Sequence, residues 1–206
     1  MARIGTFSEE VVCPAEQVIK SRPDLQQLSV VVSQPESAPL SVMLACPPGR
    51  SSVLVIGCGG IGLNVVQGAR LAGAPIIACD LRDSKLRYAR AFGATHTINT
   101  ASENVLDWVR DLTDGLGVNT AFDAIGTETT ALRAVDATAP GGHAVLVGIP
   151  AFSVRAPISP AQMVYGEKVI SGTYYGSVRP NIDFPILADL DIEKKIDLDS
   201  LGPVIN

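Results

Sequence analysis

Ser52-Val53-Leu54-Val55-Ile56-Gly57-Cys58-Gly59-Gly60-Ile61-Gly62 is the stretch on which the fold turns. From Val53 to Ile56 every side chain is apolar, as in a parallel strand covered on both faces. The next six residues read G-x-G-x-x-G, with Gly57, Gly59 and Gly62 in the glycine slots. In such a loop the first glycine permits a tight turn out of the strand. The second lets a ligand approach the backbone, and the third lets the following helix pack close to the sheet. That helix is expected over 60–72, where Ile61, Val65, Val66, Ala69 and Ala72 recur at helical spacing.

A glycine-rich turn alone is a weak signal, and its context decides. A second apolar run, Pro75–Cys79, ends in Asp80, which follows Gly62 by the ~20 residues of a dinucleotide site. Pyrophosphate would sit on the helix N-terminus, where Gly60, Ile61 and Gly62 present unpaired N–H groups and the dipole favours negative charge. The Asp80 carboxylate would accept hydrogen bonds from the adenosine ribose and repel a 2′-phosphate. NAD is therefore expected over NADP, although Arg82 is placed where it could accommodate that phosphate. S-adenosylmethionine sites share a glycine loop and an acid, but the spacing and the sixth parallel strand fit a dinucleotide better.

Downstream, short apolar runs alternate with amphipathic ones. Helices are expected at 84–92, 104–112, 128–138 and 180–191, with Leu106 and Val109 of the second facing inward. Strands are expected at 95–98, 120–125, 144–147 and 169–174, and a turn at Pro140-Gly141-Gly142. The whole reads as an α/β chain with a Rossmann, doubly wound, six-stranded parallel sheet in the order 3-2-1-4-5-6. Residues 1–50 do not follow this scheme: 7–12 and 28–33 look like strands among Pro-, Ser- and Gly-rich stretches, a short N-terminal β appendage.

Of 206 residues, 47% are hydrophobic and 18% charged, with a net charge of −5. That composition is globular, and the acidic balance argues against a nucleic-acid partner. Met1 to Glu10 lacks the pattern of a signal peptide, and no apolar run reaches the ~18 residues of a membrane span. Four cysteines without a CxxC pair fit a reducing compartment, so a cytoplasmic protein with no membrane association is expected.

VLVIGCGGIGLNVVQGARLAGA, the stretch from Asp80 through Lys85 to GATHTIN, and GGHAVLVGIP together resemble the coenzyme domain of zinc-dependent, medium-chain alcohol dehydrogenases. The likeness leans toward the glutathione- and mycothiol-linked formaldehyde dehydrogenases and covers roughly 52–200. Upstream, GTFSEEVVCPAEQVIK resembles a strand of that family's catalytic, GroES-like domain, so 1–50 would be a remnant of it and 51–206 the NAD-binding domain. The resemblance implies that Asp80 and Lys85 contact the adenosine ribose and that Ile125 and Gly126 line the cofactor cleft. It also implies that Val147, Gly148, Ile149 and Tyr175 hold the nicotinamide carboxamide through backbone groups. Core packing at a strand end is the plainer reading of Val147 and Ile149, and both can hold. Coenzyme domains of this family pair through the edge near the last strand, so a homodimer through 169–174 is expected.

In this family an alcohol oxygen is polarised by zinc held in the catalytic domain. Ala38 to Cys46 resembles the stretch ending in the last zinc-binding cysteine, which makes Cys46 a candidate relict ligand. The other ligands and the proton relay are not found in this sequence, so high-affinity zinc is not expected. His96 and His143 stand alone, Cys58 and Cys79 read as packing residues, and Cys13 and Cys46 are too few. Glu9-Glu10 and Glu193-Lys194-Lys195 read as solvated surface, and Asp123 as a strand-end residue. Three functions remain open: a shortened dehydrogenase transferring hydride between alcohol or aldehyde and NAD, a non-catalytic dinucleotide-binding module, or a truncated relic. No residue names a substrate.

Overall fold

The computed structural model describes residues 52–174, 177 and 179–201. The appendage expected over 1–50, and Tyr175, lie outside them. The first unit is strand β1 (Val53–Ile56), helix α1 (Gly60–Leu71) and strand β2 (Ile76–Asp80). It continues through α2 (Asp83–Phe92), β3 (His96–Asn99) and α3 (Val105–Leu112). The second unit runs through β4 (Val118–Asp123), α4 (Glu128–Ala137), β5 (Thr138–Leu146), α5 (Pro160–Gly166) and β6 (Val169–Gly172). Helix α6 (Pro180–Ile192) and a 3-10 turn (Asp199–Leu201) follow.

All strand pairs are parallel and the order is β3-β2-β1-β4-β5-β6, as expected from the sequence. β1 shows why a continuous apolar run is needed. Val53 and Val55 enter one core cluster with Val65, Val66 and Ala69 of α1 and Leu86, Ala89 and Phe92 of α2. Leu54 and Ile56 enter a second with Val105 and Val109 of α3 and Ala134 and Val135 of α4. Strand alternation thus sends successive residues to opposite faces, each roofed by helices. Each such side chain contributes about 1.5–3 kcal/mol on burial, so a charge at any β1 position would disable the sheet.

Helix boundaries follow local chemistry. Asn104 caps α3 through its side chain, which accepts from Leu106 N at 3.0 Å. That makes Val105 the inward residue beside Val109, while Leu106, expected there, is only partly buried. Gly93 ends α2 in a left-handed conformation, φ 120°. α5 was not expected; Ser159 caps it and Pro160 occupies its first turn. The turn expected at Pro140-Gly141-Gly142 is instead a bulge within β5. There Val118 pairs with Thr138 while Thr120 pairs with His143, and Gly141 takes φ 71°.

The C-terminal segment returns to α1. Gln67, fully buried, accepts from Asp197 N at 2.6 Å and donates to Asp197 O at 3.3 Å. Arg70 donates to Lys195 O at 2.6 Å, and Ile196 and Leu201 are buried nearby in sequence. Among the described residues no helix is long and apolar enough to cross a membrane.

Candidate functional site: a crevice at the strand ends

β1 lies between β2 and β4, so the chain leaves its carboxyl end toward one face and returns on the other. That reversal opens a crevice beyond the strand ends, where sheets of this type bind ligands. Gly57 leaves β1 with φ 95°, and its N–H donates to Cys79 O at 2.8 Å. A Cβ there would come within 2.6 Å of Ile125 Cγ1. Gly62 sits so close under the loop that a Cβ would overlap the Gly57 carbonyl. Gly59 differs: a Cβ there meets no protein atom within 4 Å. It is also the N-cap of α1, it has no side chain to cap the helix, and no acidic residue occupies the first turn. Gly60 and Ile61 follow in that turn. The helix end thus has no side-chain cap and no acid of its own in the first turn, and the position of a Gly59 side chain is open.

Asp80 closes the other side of this loop. Its Oδ2 accepts from Cys58 N at 2.9 Å and its Oδ1 from Arg82 N at 3.0 Å. Each oxygen keeps a lone pair for a further donor. Lys85 lies in the first turn of α2, where its charge opposes the rise in the Cys58 thiol pKa that burial causes. Cys58 and Cys79 are both free and buried, and burial pushes Cys79 up to about 12. Neither is a nucleophile at neutral pH. They belong to the clusters on opposite faces of the sheet.

Asp123, 1% exposed at the end of β4, organises the far wall. Its Oδ1 accepts from Ile125 N at 3.0 Å and Gly126 N at 3.1 Å. Its carbonyl accepts from Val147 N and Gly148 N, both at 2.9 Å. The turns after β4 and β5 therefore share one anchor. They are also in close contact, since a Cβ at Gly148 would lie 2.7 Å from Ile125 N and one at Gly126 2.8 Å from Gly148 O. The Val147 side chain is core, while Ile125 and Ile149 are 46% and 61% exposed at the crevice rim.

Between these walls lies a cavity of about 130 Å³. Ile56, Cys79 and Asp80 line it from the sheet, with Leu81 and Thr100 beyond β2 and β3. Ile125, Thr130 and Arg133 complete it. Pockets that enclose a whole drug-sized ligand run to ~300–1,000 Å³, so this one suits a single ring system. Sequence reasoning placed Asp80 and Ile125 here and missed Leu81, Thr100, Thr130 and Arg133. Thr130 and Arg133 stand at i and i+3 on α4, one face of the helix, which was a usable signal.

Among the described residues no group of three His, Cys, Asp or Glu side chains could hold a metal ion. Cys13 and Cys46 lie outside those residues. His143 is engaged with Ser171 Oγ at 2.7 Å and His96 with Thr95 Oγ1 at 3.1 Å.

The profile of the family described as "Zinc-binding dehydrogenase" matches residues 60–190, well over half of the chain. The chain belongs to this family. It is 37% identical over 159 residues to S-(hydroxymethyl)glutathione dehydrogenase of Paracoccus denitrificans, covering 73% of this chain and 42% of that protein. Alcohol dehydrogenase 1 of Zea mays is 33% identical over 202 residues, 95% of this chain and 53% of that one. Among solved structures, benzyl alcohol dehydrogenase from Acinetobacter calcoaceticus superposes with a TM-score of 0.76 at 31% identity, over 82% of this chain and 46% of that one. A putative zinc-binding dehydrogenase from Sinorhizobium meliloti 1021, bound to NADP, gives 0.74 at 26%, over 82% and 49%. The chain spans about half the length of the relatives it matches. The described residues thus form a zinc-type alcohol dehydrogenase-like domain with a Rossmann fold.

Proposed function

We propose that this chain binds NAD(H) and forms the coenzyme domain, residues 51–206, of an oxidoreductase that interconverts alcohol and aldehyde. Residues 1–50 would belong to the catalytic domain. One observation carries the reading: the open position at Gly59, at a helix end without a side-chain cap, with the Asp80 carboxylate beside it. The α1 N-terminus would hold the pyrophosphate through the N–H groups of Gly60, Ile61 and Gly62. Asp80, with Lys85, would hold the adenosine ribose. Ile125, Gly126, Gly148 and Ile149 would border the nicotinamide half, with the Val147 and Gly148 N–H groups already committed to Asp123.

When bound, the nicotinamide ring supplies the hydride-accepting carbon. The protein's part is to orient that ring and keep water from one face. Zinc would be held by residues outside those described and would polarise the alcohol oxygen. Calorimetric titration with NADH and NADPH in zinc-free buffer tests the proposal. NADH is expected to bind and to outcompete NADPH, and binding of neither would sink it.

One extension rests on particular residues. Exposed Val169 and Tyr174, with Val164 and Tyr165 of α5, give the β6 edge an apolar character that favours pairing with a second copy of the chain. A monomer in sedimentation at micromolar concentration would refute that pairing. A second reading is a dinucleotide-binding module without turnover. Alcohol-dependent NADH formation that a chelator abolishes would exclude it.

A further inference from the structure

We propose that Arg133 recognises the purine base of the bound dinucleotide, an inference that rests on the coenzyme reading above. Arg133 is half-buried on α4 and lines the cavity together with Asp80, Leu81 and Ile125. Among the described residues its guanidinium has no hydrogen bond and no ion-pair partner. Asp80, the one carboxylate of the cavity lining, is instead engaged by the Cys58 and Arg82 N–H groups. The guanidinium's field is nonetheless felt inside: burial raises the Cys79 thiol pKa, and Arg133 is the largest influence opposing the rise.

A guanidinium carries five donors and no acceptor, and it stays charged. Leaving one partly desolvated without a partner is unfavourable, and a ligand that supplies acceptors or an aromatic face relieves this. The other walls narrow the choice of ligand. Leu81, Ile56 and Ile125 are aliphatic, and the Thr130 hydroxyl is committed to the capping box at the start of α4, where it accepts from Thr127 N at 3.0 Å. Aliphatic walls and one cation in a cavity of about 130 Å³ suit a flat heterocycle with ring-nitrogen acceptors. A second phosphate would gain the Arg133 charge only beside the Asp80 carboxylate. The Thr127–Thr130 capping box fixes the start of α4, the helix that carries Arg133.

The test is calorimetric titration of the full chain and its Arg133→Met and Arg133→Lys variants with ADP-ribose and with NADH, alongside melting of the ligand-free proteins. Arg133→Met is expected to lose about tenfold in affinity for both ligands, by the same factor, because the nicotinamide half is not involved. Its melting temperature without ligand is expected to hold or rise, since an unpaired charge has gone. Arg133→Lys keeps a charge without the planar face and is expected to fall between. Unchanged ADP-ribose affinity in Arg133→Met would overturn the inference. So would a loss confined to NADH, or a loss matched by a drop in ligand-free melting temperature. If the unmodified chain binds neither ligand, the coenzyme reading itself falls. If it binds both and Arg133→Met binds equally well, only the role of Arg133 falls.

Discussion

Asp80 Oδ2 accepts the Cys58 N–H at 2.9 Å, which ties the end of β2 to the middle of the glycine loop across 22 residues of sequence. The acid therefore has two tasks, to shape the loop and to offer a ribose acceptor. Asp80→Ala is expected to weaken NADH binding by about tenfold or more and to lower stability by about 1–3 kcal/mol, because two N–H groups lose their acceptor. Titration and chemical denaturation of the same variant check both. A variant with lowered stability and intact affinity would leave Asp80 a purely structural residue.

The glycines of the loop are expected to separate by task. Gly59→Ala adds a methyl group where no protein atom lies within 4 Å, so its melting temperature should match that of the unmodified chain while NADH affinity drops. Gly62→Ala drives a methyl into the Gly57 carbonyl and is expected to cost about 3 kcal/mol or more. Equal melting temperatures for the two variants would contradict the geometry, and unchanged NADH affinity in Gly59→Ala would remove the pyrophosphate from this loop.

Gln67 fastens the C-terminal segment to the phosphate-facing helix through both amide atoms. Gln67→Ala strands the Asp197 N–H and C=O and leaves a void, an expected loss of about 2–4 kcal/mol. Limited proteolysis should then cut first near 193–198. Cleavage elsewhere, with that segment still protected, would show that its hold lies in Ile196 and Leu201.

His143 supplies a pH dependence. Burial lowers its pKa below 6.5, and its Nε2 pairs with Ser171 Oγ on the edge strand β6. Above pH 6.5 folded and unfolded chains both carry the neutral ring and stability is level. As pH falls through 6.5 the unfolded chain binds the proton more readily, so stability declines until the folded-state pKa is passed. Denaturation midpoints across pH 7.5 to 4.5, set against those of His143→Gln, should show a slope that the variant lacks in the upper part of that range. Parallel curves would assign the acid sensitivity to other groups.

The sheet was legible because its central strand β1 and its neighbour β2 are buried on both faces, a constraint that writes itself into consecutive apolar residues such as Val53 to Ile56. Helix α5 was not, because none of its residues is fully buried and so no apolar stripe forms; only Ser159-Pro160 marked its start. The β5 bulge was hidden by Pro140-Gly141-Gly142, residues that end most strands but here step out of one. Asp123 does end β4, as read, but its hold on two turns was not legible because only the folded sheet brings those turns together. Arg133 sat in an ordinary amphipathic pattern, and its lack of a partner is a property of three dimensions.

The close seat of Gly62 beneath Gly57 and the bond from Cys58 to Asp80 mean that the loop reaches its working shape during folding, without help from a ligand. Complex formation at this end of the sheet then demands little ordering of the chain, and the entropy lost is mostly the ligand's own. Encounter should be limited by diffusion and orientation, with the length of the stay set by the breaking of contacts and not by a loop reopening.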